Sequence, residues 1–151
     1  MGIIVDTREK PHAIKKILAH FEKVKMDVIH QKLDVGDYMF PDGRISVDRK
    51  QNLAEVALNL CQQRTRFKAE CERARESGVK LIILVEHGGR IKDLESVQEW
   101  KNPRLQISPY AVSGPRLYRL MKEFESRYGI EWAFCAKQTT GKKIIEILSR
   151  A

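Results

Sequence analysis

Cysteine is scarce. The three present, Cys61, Cys71 and Cys135, are odd in number and scattered, and no C-x-x-C pair occurs. This argues against a disulfide framework and a zinc knuckle, and reduced thiols in an intracellular protein are expected, cytoplasmic or, in a eukaryote, nuclear. No uninterrupted apolar run approaches the roughly 18 residues of a spanning helix, so a membrane protein is not expected. The start, Met1-Gly2-Ile3-Ile4-Val5-Asp6, has no basic leader and soon meets an acid, which speaks against a secretory signal. Internal repeats and low-complexity tracts are also missing.

What is there suits one domain. The 151 residues are 42% hydrophobic and 32% charged, enough for a real core beneath a wet surface. Lys and Arg number 28 against 20 Asp and Glu, a net charge of +8 that suits a polyanionic partner, nucleic acid before an anionic membrane.

Apolar runs alternate with helical patterns, the signature of an α/β domain. Gly2 to Val5 reads as a short buried strand. Pro11 opens a helix through about Lys23, with Ile14, Ile17, Leu18 and Phe21 on one face. Met26 to Leu33 reads as a second strand. Gly36-Asp37 turns the chain into a third, Tyr38 to Phe40. Pro41-Asp42-Gly43 makes a hairpin turn into the strand Arg44 to Lys50. One long helix is expected from about Asn52 to Ser77, with Gly78 as its stop. Val79 to Val85 is almost wholly apolar, as in a strand buried on both sides. Lys92 to Pro109 is poorly patterned and reads as a surface excursion. An α-β-α unit closes the chain: a helix from Ser113 or Gly114 to Tyr128, a strand Ile130 to Cys135, and a helix Thr140 to Arg150.

The chemistry concentrates in Ile45-Ser46-Val47-Asp48-Arg49-Lys50. Alternation puts Asp48 and Lys50 on one side, their Cα atoms about 6.5–7 Å apart, with Ile45, Val47 and Arg49 on the other. A hairpin can bring Asp37 to the same end of the sheet as Asp48. Two carboxylates and an ammonium there suit divalent-metal phosphodiester hydrolysis: hard oxygens for Mg²⁺, and a lysine to orient water or offset charge building on phosphorus. An acid-x-Lys triplet alone is weak. Glu99-Trp100-Lys101 fits the same pattern, but has no strand and no preceding acid to place it. On the triplet alone, a solvated strand edge carrying alternating charge is the favoured reading of Asp48 to Lys50. The charges Asp6-Thr7-Arg8-Glu9-Lys10 shift the balance, since they follow a buried strand where α/β proteins place their sites.

Taken together, Asp6-Thr-Arg-Glu9, Leu33-Asp-Val-Gly36-Asp37-Tyr38 and Val47-Asp48-Arg49-Lys50 closely resemble the nuclease domain of XPF-type structure-specific endonucleases. That family lies within the PD-(D/E)XK, restriction-endonuclease-like group. The resemblance runs from Ile3 to Glu86 and implies a mixed central sheet with helices on both faces. It implies that Asp37 and Asp48 ligate Mg²⁺, with Mn²⁺ able to substitute and the Arg49 carbonyl a further candidate ligand. Lys50 would be the catalytic lysine and Asp6 an additional acid at the metal. Arg8 and Arg49 would be phosphate or structural partners, and Glu9 a weaker candidate.

Three departures stand out. Asp48 replaces the family's usual Glu. The acid expected four residues past the lysine falls on Ala54, with Glu55 beside it. The helix-hairpin-helix region of many members has no counterpart within residues 1–151, which leaves open whether a homodimer or a partner protein forms.

Arg64, Arg66 and Lys68 on the long helix are candidates to track DNA phosphates, as are Lys15, Lys16 and Lys23. About five such contacts would give a salt slope near −4 to −5. Thr140-Gly141-Lys142-Lys143 could hold an anion at a helix start but lacks the earlier glycine of a P-loop. His12, His20, His30 and His87 show no ligand spacing. Trp100 and Tyr110 either stack on unpaired bases or, the favoured role, pack the excursion onto the domain. The expectation is a Mg²⁺-dependent DNA endonuclease acting on branched, flapped or otherwise structured DNA. The alternatives are a non-catalytic DNA-binding or scaffold member of the same fold, or a basic protein that binds RNA by shape and charge.

Overall fold

A computed structural model describes residues 1–150. Six strands form one mixed sheet: β1 (Gly2–Val5), β2 (Asp27–His30), β3 (Tyr38–Met39), β4 (Ile45–Lys50), β5 (Lys80–Val85) and β6 (Glu131–Phe134). Their spatial order is β2-β1-β3-β4-β5-β6. β1 runs parallel to β2, and β4, β5 and β6 run parallel to one another. β3 is antiparallel to both β1 and β4, so it joins the two parallel halves.

The helices are α1 (Lys15–Lys23), α2 (Leu53–Cys61), α3 (Arg64–Glu76), α4 (Gly114–Tyr128) and α5 (Thr140–Leu148). They cover both faces of the sheet. Leu81, Ile83 and Val85 of β5 pack with the apolar stripes of α2, α3 and α4. Ile82 and Leu84 join Val47, Ile3, Phe21 of α1 and Ile144 and Ile147 of α5 on the other face. This two-sided burial explains the near-continuous apolar run of β5.

The long helix expected from Asn52 to Ser77 is two helices. The break falls at Gln62 and Gln63; Gln63 has φ −114° and ψ 32°, and both N–H groups donate to the Leu58 carbonyl. Leu60 and Phe67 lie seven residues apart, close to two helical turns, so the apolar stripe continues in phase across the break and hides it. The helix expected from Pro11 begins as one 3₁₀ turn over Pro11–Ala13, because Ile14 leaves helical geometry (φ −117°, ψ 24°) before α1 starts at Lys15. β2 is shorter than the expected Met26 to Leu33, since only Asp27–His30 pair with β1.

The excursion from Lys92 carries two 3₁₀ turns, Glu95–Glu99 and Pro103–Gln106. It is anchored by buried Val97, Trp100 and Asn102. Asn102 Nδ2 donates to the Val112 carbonyl at 2.9 Å and its Oδ1 accepts from the Arg104 N–H at 3.0 Å. Gly114, the first residue of α4, lies against the backbone carbonyls of Trp100 and Val97, where a Cβ would stand only 2.5 and 2.7 Å away. Among the described residues, no helix is long and apolar enough to cross a membrane.

Candidate active site

The Gly36-Asp37 turn sits directly on β4. Gly36 has φ +72°, and an added Cβ would overlap Ser46 Oγ. Only glycine fits both constraints. The Asp37 N–H then donates to the Val47 carbonyl at 2.7 Å, and the Asp37 carbonyl accepts from the Asp6 N–H at 2.8 Å. This lacing holds the Asp37 side chain beside β4, where its Oδ2 accepts from the Arg49 N–H at 2.8 Å. Strand alternation points Asp48 and Lys50 to the face covered by α2 and α3, with Lys50 Nζ 3.3 Å from Asp48 Oδ1.

Asp37, Asp48 and Lys50 meet in one polar cavity of about 310 Å³. Its floor is acidic, and its rim carries Arg8, Arg66 and Arg73. Phe67 closes it behind Lys50, the ammonium 5.6 Å from the ring centroid. Glu55, beside the position where the family carries an acid, also lines the cavity. Its side chain caps the entry to α2 by accepting from the Gln51 N–H at 2.7 Å. Ala54 is exposed and contributes no carboxylate.

Sequence reasoning missed Glu70. This α3 residue lines the same cavity and accepts from the Gly36 N–H at 3.2 Å. Its signal was present: an acid next to the buried stripe of Phe67 and Cys71, one turn beyond Arg66. A polar residue at a stripe's border is usually solvated, so the pattern alone does not mark it.

The site is overcrowded with negative charge. Burial and the neighbouring charges of Asp48 and Glu9 hold the Asp37 carboxyl well above the usual carboxylate range. Burial, the charge of Asp48 and a hydrogen bond to it push Glu70 up to about 8. Lys50 is the countercharge: burial alone would lower its pKa, but Asp48 and the carboxylates around it raise it, so the ammonium stays charged.

The remaining sequence candidates are placed differently. Asp6 does not line the cavity. Its Oδ2 accepts from Arg8 N–H and Nε at 3.1 and 2.7 Å, and its Oδ1 from the Leu33 N–H at 2.7 Å and Arg8 Nη2 at 3.3 Å. Both oxygens are committed to fixing a loop and aiming Arg8. Although burial opposes it, the hydrogen bond from Arg8 keeps this carboxyl below its ordinary value. Arg49 lies on the opposite face of β4, its side chain 7% exposed. There it bonds Glu9 at 2.8 and 3.0 Å and Glu86 at 2.6 Å. Tyr38 and Thr140 donate to Glu9 and Glu86, at 2.9 and 2.6 Å. Of the two roles open to Arg49, the side chain occupies the structural one. Arg64 pairs with Glu123 at 3.2 Å and lies over the Phe124 ring, and Lys68 is exposed; neither lines the cavity.

A mixed sheet whose acid-x-Lys strand faces a polar cavity, with a second acid supplied by an adjacent turn, defines an XPF-type nuclease domain. The ERCC4 domain matches residues 5–141, and the chain belongs to that family. The structure resembles XPF from Aeropyrum pernix, with a TM-score of 0.68 and 25% sequence identity, covering 98% of this chain and 63% of that one. It also resembles XPF from Aeropyrum pernix in complex with DNA, with a TM-score of 0.67 and 22% identity, covering 97% of this chain and 62% of the other. The chain thus spans less than two thirds of those proteins. No curated protein matches the sequence.

Proposed function

We propose that residues 1–151 act as one nuclease domain that hydrolyses phosphodiester bonds in branched, flapped or otherwise structured DNA, with Mg²⁺ as cofactor and Mn²⁺ able to replace it. The observation that carries this reading is the convergence of Asp37, Asp48 and Lys50 in one cavity, where burial and neighbouring negative charge hold the carboxyls of Asp37 and Glu70 above their ordinary range. Among the described residues, no three His, Cys, Asp or Glu side chains are arranged to hold a metal by themselves. Mg²⁺ does not need three: it retains several waters and commonly takes one or two carboxylates plus a substrate phosphate. The donor set fits such an ion, with Asp37 and Asp48 as its protein ligands. Bound there, it would polarise the phosphate and make a bound water more acidic and easier to deprotonate.

The chain's own groups do the rest. Lys50 Nζ, charged and held at Asp48, orients the attacking water and offsets charge building on the phosphorane. Arg8 on the rim, aimed by Asp6, meets the phosphate backbone together with Arg66 and Arg73. Glu70, hydrogen-bonded to Asp48 and to the Gly36 N–H, steadies Asp48. Asp6 contributes as a positioning residue.

A cleavage panel of single-stranded, duplex, flap and fork DNA with Mg²⁺ or Mn²⁺ tests the proposal. The wild type cuts structured substrates; Asp48→Asn and Lys50→Ala do not, while Asp48→Asn still binds DNA. Normal cleavage by Asp48→Asn overturns the mechanism. The shorter Asp48 and the missing acid at Ala54 favour the scaffold reading, and Mn²⁺ titration separates the two. A competent site gains about 2.7 kcal/mol of stability at a hundredfold excess over Kd. A decayed site gains nothing.

A further inference from the structure

α2 has a second cleft on its other flank. Glu55, Asn59 and Gln63 face the catalytic cavity, whereas Leu58, Cys61 and Gln62 face a cleft of about 270 Å³ closed by the segment from Asn102 to Val112. Tyr110 stands at this cleft with 91% of its surface exposed, and Ile107 on the same segment is 88% exposed. Arg104 and Arg116 line the cleft, and no carboxylate does.

We propose that this cleft is a stacking subsite for an unpaired DNA strand that crosses α2 after leaving the catalytic cavity, with Tyr110 as the platform and Arg104 and Arg116 as phosphate contacts. It deepens the nuclease reading, on which it rests for the direction of the strand. An exposed aromatic that shares a cleft with two cations and no acid is complementary to a chain of bases and phosphates. A duplex keeps its bases stacked inside, so only a splayed strand can offer a face to Tyr110. The platform is held in place. Asn102 and Val112 are buried and bonded to each other, and the Tyr110 N–H donates to Ser108 Oγ at 3.3 Å. The ring therefore projects from an anchored segment. Adjacent residues of α2 line the two sites: Glu55 and Asn59 the cavity, Ala54 and Leu58 the cleft, so one helix width separates them. At Ala54, where relatives carry an acid, this chain offers the strand no negative charge. Trp100, the other aromatic of the segment, is buried and serves as the anchor.

The test is fluorescence anisotropy of the whole chain with labelled oligothymidylate and with blunt duplex, in EDTA so that no cleavage intervenes. Tyr110→Ala weakens oligothymidylate binding on the order of 5- to 150-fold, the worth of one stacked base, and leaves duplex affinity unchanged. Tyr110→Phe retains wild-type affinity because the ring, not the hydroxyl, does the stacking. Replacing Arg104 and Arg116 together with alanine reduces the salt slope on the single strand by about 1.4. Unchanged oligothymidylate binding by Tyr110→Ala overturns the proposal, as does an equal loss on duplex. So does a Tyr110→Ala variant that alters only the sedimentation of the protein, which would assign the patch to a second copy. The two readings fail separately. If no DNA is cut but the Tyr110 effect holds, the nuclease reading falls and the subsite stands; cleavage without the Tyr110 effect gives the reverse.

Discussion

Replacing Glu70 with glutamine isolates the charge crowding of the site. The carboxyl is pushed from 4.5 to about 8 by burial and by Asp48. In the unfolded chain it ionises near its ordinary value, so the folded state binds the extra proton. The favourable contribution of the neutral form is therefore whole below about pH 4.5 and drains away as pH rises towards 8. With 1.36 kcal/mol per pKa unit, the group costs the fold about 1 kcal/mol at pH 5 and about 3 kcal/mol at pH 7. Glutamine keeps the shape, can still donate to Asp48 and accept from Gly36, and does not titrate. Relative to wild type, Glu70→Gln should thus gain about 2 kcal/mol between pH 5 and pH 7, or roughly 4–8 °C in Tm for a domain of this size. The assay is thermal unfolding by circular dichroism from pH 5 to pH 8 in EDTA. Parallel pH profiles for the two proteins would refute the crowding on which the metal site depends. Saturating Mn²⁺ should close the gap, because a cation among these oxygens favours the ionised carboxyl.

The network behind β4 offers a second prediction. Arg49→Met strands Glu9 and Glu86 in a space where their side chains are 11% and 6% exposed. Urea denaturation should report a loss of about 3–5 kcal/mol, the cost of breaking a buried pair from one side. A loss below about 1 kcal/mol would show that the clamp is dispensable. A third concerns the excursion: Gly114→Ala forces a methyl against the carbonyls of Trp100 and Val97. The expected cost is about 1–3 kcal/mol, read as a lower Tm with unchanged far-ultraviolet dichroism.

Much of the architecture is legible in the sequence because strand and helix periodicities are local. Val79 to Val85 announces a strand covered on both faces, and β5 is one. Alternation along β4 is enough to put Asp48 and Lys50 on one side and Arg49 on the other. Where the chain changes direction without changing pattern, the sequence is silent. Gln62 and Gln63 interrupt a helix with neither glycine nor proline, and the apolar stripe runs through in phase. Glu70 escaped for a related reason: its importance comes from Gly36 and Asp48, far away along the chain and adjacent only after folding.

By itself, then, the sequence determined the alternation of strands and helices, the strand that carries Asp48 and Lys50, and the glycine turn that delivers Asp37. These follow from side-chain periodicity and turn chemistry, which span only a few residues. Tertiary structure alone decided which acids share a cavity. Asp6 and Asp37 look alike in the sequence, yet the Arg8 guanidinium and the Leu33 N–H consume the oxygens of one, while the other is left among carboxylates. Burial and Coulomb energy depend on distances through space, and those distances exist only once the chain has folded.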